Sequence, residues 1–240
     1  MNDYVFIDKA LFFPRQGILA VGDLHLGYEE MLRESGILVP GNQIKETIND
    51  LKKIFKEIKK RKSKLKKIVL LGDIKHFFNY EKEEKVGFFE LMNFLKKYFD
   101  EKDIILIKGN HDTFSLSDMP LKDYYIYDGI AFLHGHKFFP EILDKKIKTI
   151  VLAHLHLAIT LSDEQDIRKE KYRCFLTGKW KRKQVIIVPH FLNLSEGTDI
   201  LEYYERDGPF IIPKKELRDF QIHVIGKDRI YDFGKIKDMA

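Results

Sequence analysis

The sequence predicts an α/β protein (α+β in some schemes) built on two mixed sheets packed face to face. Three observations carry this. The runs Ile18-Leu19-Ala20-Val21, Ile68-Val69-Leu70-Leu71 and Asp103 to Ile107 are almost continuously apolar, as strands covered on both faces must be. Helical patterns separate those runs, which argues a parallel sheet with right-handed crossovers. From Tyr124 onward strand patterns dominate, which calls for a second sheet, mixed or antiparallel.

In order, Tyr4 to Asp8 and Ala10 to Pro14 read as an opening hairpin, and Gly17 to Val21 as the first core strand. Tyr28 to Gly36 is predicted as a short helix with Arg33 near its end, followed by a linker over Ile37 to Pro40. Asn42 to Lys60 is amphipathic, with Ile44, Ile48, Leu51, Ile54, Phe55 and Ile58 on one stripe. Arg61 to Lys67 is a basic connector, read as a solvated helix end rather than a nucleic-acid contact. A second helix from about Lys82 to Tyr98 is expected to bury Val86, Phe89, Leu91, Phe94 and Leu95, and Phe77, Phe78 and Tyr80 before it to wall a pocket or pack.

Beyond Asp112, Tyr124 to Tyr127 and Ile130 to Leu133 form a hairpin about Asp128-Gly129. Phe138 to Leu143 is a short helical stretch and Thr149 to Leu152 a strand. Further strands are expected at Tyr172 to Leu176, Val185 to Val188, Ile200 to Tyr204, Phe210 to Ile212, Gln221 to Ile225 and Ile230 to Tyr231, with turns at Asp207-Gly208-Pro209 and Gly226-Lys227-Asp228. No Gly/Ser linker, repeat or low-complexity segment divides the chain, so residues 1–240 are expected to form a single domain.

Composition narrows the function classes. The net charge of +5 is compatible with a phosphate-bearing substrate without marking a nucleic-acid binder. No run is apolar enough to span a membrane, no secretory signal pattern opens the chain, and the lone Cys174 rules out an intrachain disulfide; a cytoplasmic setting is expected. Cys174 reads as a small buried hydrophobe, and Trp180, among Lys179, Lys181, Arg182 and Lys183, as an exposed hairpin tip rather than a base-stacking residue.

The chemistry sits at strand ends. Of nine histidines, seven (His25, His76, His111, His134, His136, His154 and His156) fall in short motifs after apolar runs, whereas His190 and His223 stand apart and His190 reads as structural. The motifs are Gly22-Asp23-Leu24-His25, Gly72-Asp73 with His76, Gly109-Asn110-His111-Asp112, His134-Gly135-His136 and His154-Leu155-His156. Parallel sheets place their sites beyond the carboxyl ends of the strands, where the first three fall. Collected, Asp23, His25, Asp73, Asn110, His134, His154 and His156 offer two carboxylates, one amide and four imidazoles. That mixture suits Mn²⁺, Fe²⁺ or Zn²⁺ better than Mg²⁺ or Ca²⁺. Asp73, with two oxygens, is the candidate bridge between two metals about 3.5–4 Å apart that would clamp a phosphate and generate a bridging hydroxide. Gly22, Gly72 and Gly109 beside the motifs fit close backbone approach.

Together these five ordered blocks resemble the calcineurin-like metallophosphoesterases. The stretch Asp23-Leu24-His25-Leu26-Gly27, Glu29-Glu30, Arg33, Gly36-Ile37 and Pro40-Gly41 is similar in particular to small archaeal phosphoesterases related to the SbcD and Mre11 nucleases, and to the DNA ligase-associated phosphoesterases. The resemblance implies a four-layer αββα sandwich with two divalent ions per chain, Mn²⁺ foremost and Ni²⁺, Fe²⁺ or Zn²⁺ as alternatives. It implies that Asp23, His25 and His156 hold one metal, that Asn110, His134 and His154 hold the other, and that Asp73 bridges. His111 would serve as proton donor to the leaving oxygen, with Asp112 or another acid orienting it, and His76, His136 and Arg33 would stand beside substrate or ligands. Ala153 stands where the family's last block has glycine. The expected activity is phosphodiester hydrolysis on cyclic nucleotides or short nucleic-acid ends. The alternatives are a DNA nuclease working with a ligase, helicase or Rad50-like partner, and a silent protein-interaction scaffold. Whether the chain is monomeric or dimeric is left open.

Overall fold

The computed structural model describes residues 3–39, 41–76, 82–112, 119–162, 168–201 and 210–239. Pro40, Phe77, Phe78, Tyr80 and the turn expected at Asp207-Gly208-Pro209 lie outside the described residues. The elements run β1 (Val5–Ile7), β2 (Ala10–Phe13), β3 (Ile18–Val21), α1 (Tyr28–Glu34), α2 (Gln43–Lys60), β4 (Lys67–Leu70), α3 (Lys82–Leu95), β5 (Ile104–Ile107), β6 (Leu121–Lys122), β7 (Tyr124–Tyr127), β8 (Ile130–Leu133) and β9 (Thr149–Leu152). They continue as β10 (Leu157–Ser162), β11 (Lys169–Trp180), β12 (Lys183–Ile187), β13 (Thr198–Asp199), α4 (Lys214–Leu217), β14 (Gln221–Ile225) and β15 (Ile230–Lys235).

Two mixed sheets result. The first has the order β1-β2-β3-β4-β5-β6, antiparallel through β3 and parallel from β3 to β6. The second has the order β13-β10-β11-β12-β9-β8-β7, with β14 and β15 joined through β11. The apolar runs owe their continuity to the alternation of strand side chains. In β4 and the residue after it, Ile68 and Leu70 face the helices while Val69 and Leu71 face the other sheet. In β9, Ile150 and Leu152 face outward while Val151 and Ala153 enter the space between the sheets. Each fully buried Leu, Ile or Phe contributes about 1.5–3 kcal/mol to holding the layers together.

Helices α2 and α3 cover the first sheet. Over the second, among the described residues, the outer layer is thin: the short α4, the 3-10 turn Pro140–Leu143 and loop residues such as Ile147 and Phe220. None of the described helices is long and apolar enough to cross a membrane.

Several expectations are corrected. Val86 and Phe89 are 60% and 43% exposed. The face of α3 that meets the sheet is Phe88, Leu91, Met92 and Leu95, a set spaced at i, i+3, i+4 and i+7, which leaves 86 and 89 on the outer side. Trp180 is buried against Phe138, and the hairpin tip falls on Lys181 and Arg182, both at positive φ. Phe210 to Ile212 is not a strand; Ile211 makes one backbone bond to Gly135, and Pro213 has no N–H with which to extend a ladder. The strand sought at Ile200 to Tyr204 is reduced to the two residues of β13 just before it, with Ile200 and Leu201 in a turn and 202–204 outside the described residues. Cys174 is fully buried, as expected.

Candidate metal centre

The carboxyl ends of β3, β4, β5, β8 and β9 meet along one margin of the sandwich, and each motif is the loop that leaves one of these strands. Backbone bonds stitch the loops together. The Leu24 and His25 N–H groups donate to the Asp73 carbonyl at 3.1 and 2.9 Å, and the Phe191 N–H donates to the Asp23 carbonyl at 2.9 Å. The His154 N–H lies 3.3 Å from both Asp23 carboxylate oxygens, tying the first sheet to the second. These turns are sharp. His25, Asp73, His154 and His156 all adopt positive φ (44°, 45°, 73° and 46°), a conformation side chains other than glycine and asparagine rarely take. Such strain persists where the surroundings over-determine it, as functional sites do. Ala153 is not among the positive-φ residues, so replacing the family's glycine there costs no backbone strain.

The side chains converge as three groups among the described residues: two share Asp73, and His25, His76 and His111 make the third. Asp23, His25, Asp73 and His156 present ligand atoms within 4.8 Å of one another, and so do Asp73, His134 and His154. The Asn110 amide oxygen joins the second group, 3.1 Å from His134 Nε2. All seven candidate ligands are therefore brought together. Asp73 differs from the two-oxygen bridge pictured from sequence. Its Oδ1 accepts the His111 backbone N–H at 2.9 Å, and Oδ2 alone faces both groups, 3.8 Å from His25 Nε2 and 3.3 Å from His134 Nε2. Neighbours set the tautomers. His134 Nδ1–H donates to the Leu71 carbonyl at 2.8 Å, which turns Nε2 toward Asp73.

Burial and neighbouring charge shape the protonation states. Burial, then the charge of His156, holds His25 well below the ordinary imidazole value. Burial, then His134, brings His154 down to about 3. Both rings thus keep the lone pair a cation requires. Burial works against ionisation of Asp73, but His134, His25 and the His111 N–H outweigh it and hold the carboxyl far below the carboxylate range. Burial likewise opposes protonation of His134, yet Asp73 and Asp23 carry it up to about 9. Asp23 is raised by burial.

The donor set fits a pair of divalent ions. Two imidazole nitrogens, of His25 and His156, stand 2.9 Å apart, and those of His154 and His134 stand 3.1 Å apart, with His25, His134 and His156 also facing the Asp23 or Asp73 carboxylates. His154 Nε2 is buried without a hydrogen-bond partner. There is no thiolate here, and the imidazole, carboxylate and amide mixture suits Mn²⁺, Fe²⁺ or Zn²⁺.

Around this centre, His111 donates through Nδ1 to the His76 carbonyl at 2.7 Å, and its ring stacks on His76 and meets His25 edge-on. Asp112 does not orient the His111 ring, as sequence reasoning had it. Its oxygens accept from the backbone N–H groups of Gly109, Ile74 and Lys75, so it braces the loops that carry Asp73 and His111. Burial, then the Asp73 charge, pushes Asp112 up to about 6. His76 Nδ1 is 3.3 Å from His25 Nδ1, and burial followed by His111 lowers its pKa to about 4. His136 sits beside His134 and His154. Arg33 does not join the cluster; it pairs with Glu29 and Glu30 on its own helix. His190 is fully buried and bonded to Arg173 at 2.9 Å.

Two neighbours were missed. Tyr28 stands edge-on to His76, and it could have been suspected from its place directly after the first motif. Phe210 lies nearly parallel to the His154 ring, 6.3 Å between centroids. No local pattern announces it, since 56 residues of chain separate the two.

The sequence profile described as calcineurin-like phosphoesterase matches residues 17–225. No curated protein matches the chain. Among solved structures, the Pseudomonas putida nuclease MPE is similar with a TM-score of 0.61 and 17% identity, covering 96% of this chain and 100% of that one. Wild-type Vps29 complexed with zinc, from Entamoeba histolytica, has a TM-score of 0.38 at 11% identity, covering 90% of this chain and 96% of that one.

Proposed function

The chain belongs to the calcineurin-like phosphoesterase family, and from that premise we propose that it is a phosphodiesterase using two divalent ions, Mn²⁺ first among them. When bound, such a pair clamps the phosphate and acidifies a water as nucleophile. Asp23, His25 and His156 would hold one ion, Asn110, His134 and His154 the other, and Asp73 would be shared between them. As the water oxygen bonds to phosphorus and the P–O ester bond breaks, His111 gives a proton to the departing alkoxide, yielding a phosphomonoester and an alcohol. The His76 carbonyl holds His111 Nδ1, which leaves Nε2 as the atom that exchanges that proton. One observation supports this reading above the rest: two ligand groups share a single carboxylate oxygen, with His111 beside them.

The substrates proposed are short nucleic-acid ends or cyclic nucleotides. A second reading, DNA nuclease, is favoured by the similarity to the Pseudomonas putida nuclease MPE, which is covered over 100% of its length. One parallel assay tests both. The protein with Mn²⁺ is offered bis-p-nitrophenyl phosphate, p-nitrophenyl phosphate, 2′,3′-cyclic nucleotides, and single- and double-stranded DNA. Turnover of the diesters over the monoester is expected. Monoester preference overturns the assignment, DNA cleavage without small-diester turnover selects the nuclease, and no hydrolysis at all leaves a scaffold.

A further inference from the structure

We propose that the His154 side of this centre is a nucleotide subsite, in which Phe210 is the platform for a base and Lys108 and Lys137, beside His136, seat a neighbouring phosphate. The proposal rests on the phosphodiesterase reading for the reacting phosphate and narrows its substrate to linear nucleotides.

The aromatic part is built into the ligand loop. Gly135 lies between His134 and His136 at φ 119°, and a Cβ there would come within 2.8 Å of the Phe210 ring. Glycine therefore lets the ring lie against the loop. The Ile211 N–H, donating to the Gly135 carbonyl at 3.0 Å, fastens it there. Phe210 is half-buried and lies nearly parallel to His154 (19° between ring planes), so the ring stands beside a candidate ligand without being sealed off from solvent. A base laid on such a ring is held without regard to its identity.

Electrostatics give the direction of the chain. Lys137 directly follows His136, and Lys108 opens the loop that carries Asn110; both are exposed and have no carboxylate partner among the described residues. His136 Nδ1 is buried with no hydrogen-bond partner. Two unneutralised ammonium groups and an unsatisfied ring nitrogen suit a phosphate. The wall under Tyr28 and His76 carries Glu29 and Glu30 on α1, and the guanidinium of Arg33 on the same helix is taken by both. A polyanion is therefore drawn to the His154 side.

Two chromogenic esters with the same leaving group test the platform: thymidine 5′-(p-nitrophenyl phosphate) and methyl p-nitrophenyl phosphate, with Mn²⁺. In Phe210→Ala the thymidine-over-methyl preference in kcat/KM should fall about tenfold, and Phe210→Trp should restore it. An unchanged preference overturns the platform. The second readout needs no turnover: binding of single-stranded hexathymidylate to metal-free protein as salt is varied. Joint Lys108→Ala and Lys137→Ala replacement should flatten the slope of log K against log salt by about 1.4. Binding indifferent to both lysines and to Phe210, or no binding at any salt, overturns the subsite. If neither ester is turned over while hexathymidylate binding depends on these residues, the phosphodiesterase reading fails and the subsite stands.

Discussion

Gly109 and Asp73 touch so closely that a Cβ at position 109 would lie 2.1 Å from the Asp73 Oδ1 and 2.2 Å from its backbone nitrogen. Glycine there is a condition for placing the shared carboxylate. Gly109→Ala should therefore displace Asp73, costing about 1–3 kcal/mol of stability from overpacking and lowering bound Mn²⁺ below two per chain. Metal analysis and urea unfolding check this together; a variant with wild-type stability and full metal content would refute it.

His111 offers the complementary test, because the proposed mechanism uses its side chain as proton donor rather than as ligand. His111→Ala should retain its metal and lose roughly 10²–10⁴-fold in kcat toward bis-p-nitrophenyl phosphate. Asp73→Asn should instead lose metal first. Equal metal loss in both variants would mean that His111 is itself a ligand, as its proximity to His25 and His76 would permit.

The contrast between motif and outer layer shows what the sequence made legible. All seven candidate ligands stood at the ends of apolar runs, and strand direction alone gathers such ends at one margin, so their convergence could be read in advance. The single-oxygen role of Asp73 could not, because it depends on the His111 backbone N–H claiming the other oxygen. Phe210 was invisible as a site residue, since its place depends on a loop crossing rather than a local pattern. On α3, Val86-Gly87-Phe88-Phe89 is apolar whichever face is turned inward, so periodicity alone did not settle the rotation.

That rotation is measurable. Phe88 is 2% exposed and Phe89 is 43% exposed. Phe88→Ala should cost about 3–5 kcal/mol through lost burial and a residual cavity, and Phe89→Ala roughly 1 kcal/mol or less, as for a surface change. Denaturant melts of the two single variants decide it; equal losses would place both rings in the core.

Lys9 and Asp50 set the acid response behind the metal centre. Lys9 Nζ donates to Asp50 at 2.7 Å, to the Phe191 carbonyl at 3.1 Å and to Asn193 at 2.6 Å, while the Phe191 N–H donates to the Asp23 carbonyl. The pair thus anchors the loop behind a candidate ligand. Burial works to raise the Asp50 pKa, but the bonds from Lys9, Asn193 and Lys53 outweigh it and bring it to about 2. A carboxylate depressed in the folded state stabilises above its unfolded value, near 3.9, and loses that contribution as pH falls through the folded value. After allowance for partial solvent access the pair's share is about 1–2 kcal/mol. Asp50→Asn should therefore be less stable than the parent by at least that amount at pH 7, where it also leaves the buried Lys9 ammonium without its counter-charge. The gap should narrow as pH drops from 4 toward 2. Thermal melts of both proteins across that range measure it, and a gap that stays constant down to pH 2 would show that Asp50 titrates alike in folded and unfolded chains.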